Sequence, residues 1–201
     1  MDYRFRPGFG RVLTILVGCL CVFAAVVTVV HDGPAAALRW LPWLALIGGG
    51  CWAIFWRPEV LVDDAGVHLC NVLRSIDLPW PAIQRVDTKW ALALTTPYGT
   101  FTAWAAPTSS RLSGKEISPG DLKKLPSSTF GPGMSIRPGD SPLAPSGQAA
   151  MVIRRHWEDL RDAGHLDNPR LEFDTPPVRW HLTTIAVGAV LLALGFLGSV
   201  A

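Results

Sequence analysis

Three long stretches without a charged residue constrain this chain more than any other feature. They run Val12 to Val30, Trp40 to Trp56 and Leu182 to Ala201. The first is nineteen residues whose polar members are Thr14 and Thr28, and the last is twenty with Thr183, Thr184 and Ser199. At a rise of about 1.5 Å per residue each reaches roughly 30 Å, the thickness of a bilayer's hydrocarbon core. The middle stretch is seventeen residues and holds Pro42 and the run Gly48, Gly49, Gly50. A soluble helix tolerates that poorly. In lipid, a broken helix would expose unsatisfied backbone, and small residues let neighbouring helices approach. Tryptophans at 40, 43, 52 and 56 bracket it, as expected of rings at the two membrane interfaces. The expectation is therefore a helical hairpin, 12–30 and 40–56, joined by a nine-residue loop, with a third transmembrane helix at 182–201. A mean hydropathy of +0.29 agrees with a multi-pass membrane protein.

A cleaved signal would also begin with Arg4, Arg6 and Arg11, but the apolar run is too long and no A-x-A site follows it. A retained anchor is expected. Arg57 and Arg74 follow the second stretch and Arg161, Arg170 and Arg179 precede the third, whereas the loop between the first two holds only Arg39. The positive-inside rule then puts the N-tail, residues 1–11, and the intervening domain in the cytoplasm of a cell-membrane protein, with the C-terminus outside. From Arg57 to His181 there are fourteen basic and fourteen acidic residues, so no basic field invites nucleic acid. Cys19, Cys21, Cys51 and Cys70 form neither a metal-spaced motif nor a disulfide framework.

Between the second and third stretches the composition changes twice. From Glu59 to Ala106 it is rich in Val, Ile, Thr, Leu and Trp, with turn residues at short intervals, which reads as an antiparallel meander of four or five strands. Val60 to Asp63 and Val67 to Asn71 flank the turn Asp63, Asp64, Ala65, Gly66, and the second strand is expected to run on to Asp77, where Pro79 and Pro81 interrupt it. Val86, Thr88, Trp90, Leu92 and Leu94 fall on one face at period two. Thr96, Pro97, Tyr98, Gly99 is the next turn, and Thr100 to Ala105 returns. Residues 107–147 hold seven Pro, six Gly and nine Ser in forty-one positions, the composition of a flexible insertion. Gly131, Pro132, Gly133 there lacks the Lys and Ser or Thr of a phosphate loop.

A helix is expected over 148–163, stopped by Gly164. Ile153, Trp157 and Leu160, with Ala149 and Ala150 a turn earlier, mark its packed face; Arg154, Arg155, Glu158, Asp159, Arg161 and Asp162 mark the wet one, with Arg154–Glu158 and Arg155–Asp159 as i,i+4 pairs. The packed face would cap the meander, and 165–181 would link it to the third membrane helix.

Arg57, Pro58, Glu59, the turn Asp63 to Val67, then Asn71, Val72, Leu73, Arg74, and Leu78, Pro79, Trp80 with Ile83 and Val86 form a pattern of its own. It resembles the bacterial pleckstrin-homology (PH)-like domains of small multi-helix membrane proteins, related to low molecular weight protein antigen PH domains. The resemblance covers about residues 57–106, with the 148–163 helix as closing element. It implies an α+β membrane protein whose cytoplasmic part is a small antiparallel β-barrel, partly open and capped by a helix, without known catalysis. The long insertion and the third membrane helix depart from the simplest members.

The lipid-binding relatives grip phosphoinositides with basic residues around the first hairpin; here that turn carries Asp63 and Asp64, which disfavours such binding. Arg74, Trp80, Arg85 and Lys89 make up the candidate interaction surface. The alternatives are a solvated sheet face for the three cations and a plug at the end of the barrel for Trp80. Asp63, Asp64 and His68 read better as a solvated turn than as metal ligands, and His156 and His165 diverge on their helix. No nucleophile motif, zincin motif or P-loop occurs, and the apolar stretches hold no acidic or basic residue for an ion pathway. No catalytic, metal or cofactor residue is assigned. The expected function is non-enzymatic: a membrane-anchored module presenting its domain to a protein partner. The alternative is an accessory subunit of a transport or envelope-biogenesis complex, packed through its Gly-rich second helix; the small residues Ala189, Ala193, Gly195 and Ser199 of the third stretch mark either helix packing within the protein or a dimer seam.

Overall fold

The computed structural model describes residues 3–108, 125–130, 136–166 and 174–200. The chain divides into two compact units, one of Met1–Pro7, Glu59–Asn71 and Ser75–Arg179, the other of Gly8–Pro58, Val72–Arg74 and Trp180–Ala201.

The first unit is built from antiparallel strands: β1 (Tyr3–Phe5), β2 (Glu59–Val62), β3 (Gly66–Cys70), β4 (Arg74–Pro79), β5 (Arg85–Asp87), β6 (Ala91–Thr96), β7 (Gly99–Pro107) and β8 (Val178–Trp180). They do not close into a barrel. They form two sheets, ordered β1-β2-β3-β4-β8 and β5-β6-β7. Alternation explains the core: Val60 and Val62, Val67 and Leu69, Ile76 and Leu78 point inward from one sheet, and Leu92, Leu94, Ala103 and Ala105 from the other. Asn71 ties the two together. Its Nδ2 donates to Thr102 O (2.9 Å) and its Oδ1 accepts from Trp104 N (2.8 Å), so one side-chain amide satisfies two backbone groups of β7.

Asn71 also accounts for a correction. The run expected as one strand from Val67 to Asp77 is a hairpin, with Cys70 opposite Ser75 and Val67 opposite Leu78. The chain leaves the strand where Asn71 turns toward β7. Trp90, expected on one face with Leu92 and Leu94, is 81 % exposed while they are buried, because β5 ends at Asp87 and the period-two pattern restarts at Ala91.

Nor is the N-tail a tail. Tyr3–Phe5 adds a strand to the sheet edge, Tyr3 opposite Val62 and Phe5 opposite Val60. Glu59 holds it there, accepting from Arg4 Nε and Nη2 and from Arg6 Nε. Burial pushes the Glu59 carboxyl up, but the bonds and charges of Arg4 and Arg6 outweigh it and hold it below the usual value. A carboxyl depressed on folding stabilises the fold above its unfolded value of about 4.3, and that contribution is lost as pH falls through the folded value. Glu59→Gln should therefore cost about 2 kcal/mol at neutral pH and shrink the acid-induced loss of stability. Thermal unfolding of both proteins from pH 7 down to pH 3, with equal pH slopes as the contrary result, checks this.

Helix α2 spans Pro145–Asp162, with proline at its first turn, and ends at Ala163 before Gly164, whose φ of 77° reverses the chain. Ala149, Ala150 and Ile153 are buried in the strand core, with Trp157 and Leu160 packed against it. The insertion is not wholly a loose tether. Leu125, Thr129, Asp140, Ser141, Ala144 and Ser146 are buried. Residues 109–124 and 131–135, with Gly131 to Gly133, lie outside the described residues, as do 167–173 of the expected 165–181 linker.

The second unit is helical. Helix α1 (Gly8–Cys51) continues into a π-helical turn, Trp52–Trp56, and α3 spans Leu182–Val200. Two helical stretches, Gly8–Trp56 and Leu182–Ser199, are long and apolar enough to cross a membrane. The nine-residue loop expected at 31–39 shrinks to one residue: Gly33, with φ 84° and ψ 169°, breaks α1, and Pro34 opens the next helical run. The two halves fold back on each other. A Cβ on Gly10 would lie 2.4 Å from Phe55 O, one on Gly48 would lie 3.8 Å from Cys21 Sγ, and Cys51 Sγ is 4.0 Å from Thr14 Oγ1. Helix α3 runs beside the second half, Arg57 Nη1 donating to Thr184 Oγ1 at one end and Arg39 Nη2 to Ser199 O at the other. Gly195 of the small-residue seam faces Trp43, where a Cβ would lie 2.7 Å from the ring.

Candidate functional site

The four residues read from sequence as an interaction surface have different fates. Trp80 is not on the surface: it is 3 % exposed, its Nε1 donates to Asp63 O (2.9 Å), and its ring lies 4.7 Å from that of His156. A short 3₁₀ turn, Trp80–Ala82, entered from Pro79 and holding Pro81, directs it inward, where it plugs the core. Arg85 is exposed and pairs loosely with Asp87 (3.7 Å). Lys89 lies over the Trp90 ring at 5.6 Å, and Arg74, in the helical unit, over Trp180 at 5.7 Å.

A concave site within the β unit gathers several of the basic residues. A cavity of about 510 Å³ opens between residues 83–86, the turn 128–130 and α2, and four arginines, Arg85, Arg137, Arg154 and Arg161, line it. Arg154 is the buried one. Its Nη1 donates to Asp140 Oδ1 (2.6 Å) and its Nη2 to Val86 O (2.9 Å), while Thr88 Oγ1 donates to the same Asp140 oxygen (2.7 Å). This buried pair joins α2 to the insertion and to the β5–β6 connection. At the mouth, Arg137 Nη1 donates to Asp87 Oδ1 (2.9 Å). Burial raises the Asp87 carboxyl, but the Lys89 amide and Arg137 pull it net below its ordinary value. Arg161 lies over the Trp157 ring at 5.2 Å, and Trp157 Nε1 donates to Ile83 O (3.0 Å). Glu158 accepts from Ser127 Oγ (2.8 Å) and Ser128 N (2.7 Å) instead of pairing with Arg154.

The expectation of a wet Arg154 fails for a reason already present in the sequence. Ala150, Arg154 and Trp157 fall at i, i+4 and i+7, on the edge of the packed face, so Arg154 is carried inward with its neighbours. Asp140 had no such signal; only the chain path of the insertion brings it to α2.

The hairpin turn forms a second polar cluster. Asp63 Oδ1 accepts from the Ala65 and Gly66 amides, Asp63 Oδ2 lies 2.9 Å from His68 Nε2, and Asp77 Oδ1 lies 2.7 Å from His68 Nδ1. Arg179 from β8 completes it through Asp77 (3.1 Å). Burial raises the Asp63 carboxyl, but the two amides and His68 outweigh it and hold it low. The cluster is a bonded latch across β2, β3, β4 and β8. Among the described residues no group of three or more His, Cys, Asp and Glu is placed to hold a metal ion.

In the helical unit the cations gather at one end. Arg11 lies over Trp56 (5.9 Å), Arg57 over Trp52 (5.8 Å) and Arg74 over Trp180 (5.7 Å), all at the end where α1 begins, the π-helical turn ends and α3 starts. Between this rim and Arg39 at the other end, the side chains are apolar and outward: Leu16, Val22, Phe23, Ile47, Val187, Leu194 and Leu197 are exposed. Thr14 and Thr28 donate to the carbonyls four residues back, Gly10 (2.8 Å) and Ala24 (2.9 Å), which pairs both hydroxyl protons within the helix.

Residues 57–109 match the family model described as Bacterial PH domain, and the antiparallel sheets are consistent with a PH-like fold. No curated protein and no solved structure matches the chain.

Proposed function

We propose that this chain is a non-enzymatic, membrane-anchored module. Three helical crossings hold a PH-like domain at the cytoplasmic face, where it binds a protein partner. One observation carries the reading: three arginine–tryptophan pairs gather at one end of helices whose outward surface between that end and Arg39 is dominated by apolar side chains. Amphipathic rings and stacked guanidiniums belong at a headgroup layer, and basic residues favour the cytoplasmic one. The most apolar eighteen-residue window of the first stretch has a mean hydropathy of 2.8 and no buried residue, which is unlike the core helix of a soluble protein. Gly33 lets this stretch cross twice. The match to the bacterial PH domain supports the binding role, and tethering multiplies weak contacts.

Alkaline carbonate washing of membranes should leave the full chain in the pellet, and a tag on the C-terminus should be reachable from outside intact cells. Release into the wash, or a tag reachable only after lysis, would reject the anchor or its orientation. Crosslinked partners should be lost when residues 57–181 are deleted. The accessory-subunit reading finds support in Gly49 and Gly50, around which a Cβ would meet nothing within 4 Å. It predicts that the partners survive this deletion and disappear when those glycines become leucine.

A further inference from the structure

We propose that the arginine-lined cavity of the β unit binds a phosphomonoester dianion. Four guanidiniums from three places converge on it: Arg85 on β5, Arg137 in the insertion, and Arg154 and Arg161 on α2. Its volume of about 510 Å³ falls in the range of small-ligand pockets, and the Trp157 side chain and the Ser128 turn supply apolar and polar wall.

The charges select the ligand. Arg154 is consumed by Asp140, and both are nearly fully buried. Asp87 serves two arginines at once, Arg137 at 2.9 Å and Arg85 at 3.7 Å, which leaves one positive charge over. Arg161 has Asp162, its neighbour in sequence and 72 % exposed, a pair that solvent screens. Glu158, the remaining carboxylate nearby, keeps its charge on the neutral donors Ser127 Oγ and Ser128 N, but it does not line the cavity. The mouth therefore presents between one and two uncompensated positive charges as planar, bidentate donors. A phosphomonoester carries about −1.5 to −2 at neutral pH and three acceptor oxygens, which matches in both charge and geometry. A single carboxylate would leave part of the charge unmet. The site is remote in sequence from the acidic turn at Asp63 and Asp64 and concerns the β unit alone, so it stands or falls separately from the membrane anchor.

The test uses the full chain in phosphatidylcholine nanodiscs, titrated with phenyl phosphate by calorimetry. A second arm measures binding to liposomes containing phosphatidate. Saturable binding of phenyl phosphate is expected, weakened about tenfold in Arg137→Gln and in Arg161→Gln and unchanged in Arg179→Gln. Both cavity positions are about half exposed, so these variants should fold, and unchanged circular dichroism checks that they do. Binding to phosphatidate liposomes alone, with the same pattern of variants, supports the same chemistry with a lipid headgroup as its source. Absence of binding in both arms, equal affinity in the cavity variants, an equal loss in Arg179→Gln, or saturable binding of a poly-glutamate peptide that phenyl phosphate does not displace would each overturn it.

Discussion

Arg154→Ala is expected to destabilise the β unit by about 3–5 kcal/mol, the cost of leaving a buried carboxylate without its partner. Asp140 is 3 % exposed and its remaining bond is from Thr88 Oγ1, so water cannot replace the guanidinium without opening the insertion. Asp140→Ala should cost a similar amount, because it strands the cation instead. The double variant Arg154→Met with Asp140→Leu should recover at least half of either loss, since neither desolvated charge remains. Urea unfolding of the four proteins, followed by tryptophan emission, measures both single losses and the recovery. Single losses below about 1 kcal/mol, or losses that simply add, would show that the pair does not bind the insertion to α2.

Gly66→Ala is expected to cost about 3 kcal/mol or to displace β4, and the reason is space rather than backbone torsion. A Cβ at this position would sit 2.2 Å from Leu78 O and 2.9 Å from Pro79 Cα, both backbone atoms of the neighbouring strand. No rotamer change relieves such a contact. The strand must move, and Leu78 moves with it out of the core. Gly99→Ala makes the informative comparison: its φ of 122° makes alanine strained, yet nothing lies within 4 Å of the added carbon. Gly66→Ala should lower the midpoint further than Gly99→Ala, and the reverse order would mean that torsion rather than crowding sets the glycine requirement in these hairpins.

The elements that could be read in advance share one property: their signal is local and periodic. Helix α2 lies within three residues of its expected start and one of its expected end, because Ile153, Trp157 and Leu160 repeat at 3.6 residues and Gly164 stops them. The apolar stretches were visible for the same reason, since hydrocarbon length is counted along the chain. Strand pairing was not local. The hairpin at Asn71 and the edge strand Tyr3–Phe5 depend on partners distant in the sequence, Thr102 and Trp104 for one and Glu59 to Val62 for the other.

The candidate site divides in the same way. Arg85 was picked out as a surface cation and does line the cavity, whereas Trp80 was drawn into the core by the proline-containing turn. Arg137 and Asp140 lie in an insertion whose composition reads as loose chain, and composition carries no information about where such a chain folds back.

By itself, then, the sequence determined which segments are apolar along their length, where one amphipathic helix lies, and that the chain between is an antiparallel meander with PH-like spacing. Only the tertiary structure decided that the meander splits into two sheets, that Gly33 folds one long helix back on itself, and that four arginines share a cavity. The physical reason is range. Hydropathy and helical period are written residue by residue, while a buried ion pair such as Arg154 with Asp140 forms because folding removes water from both groups at once.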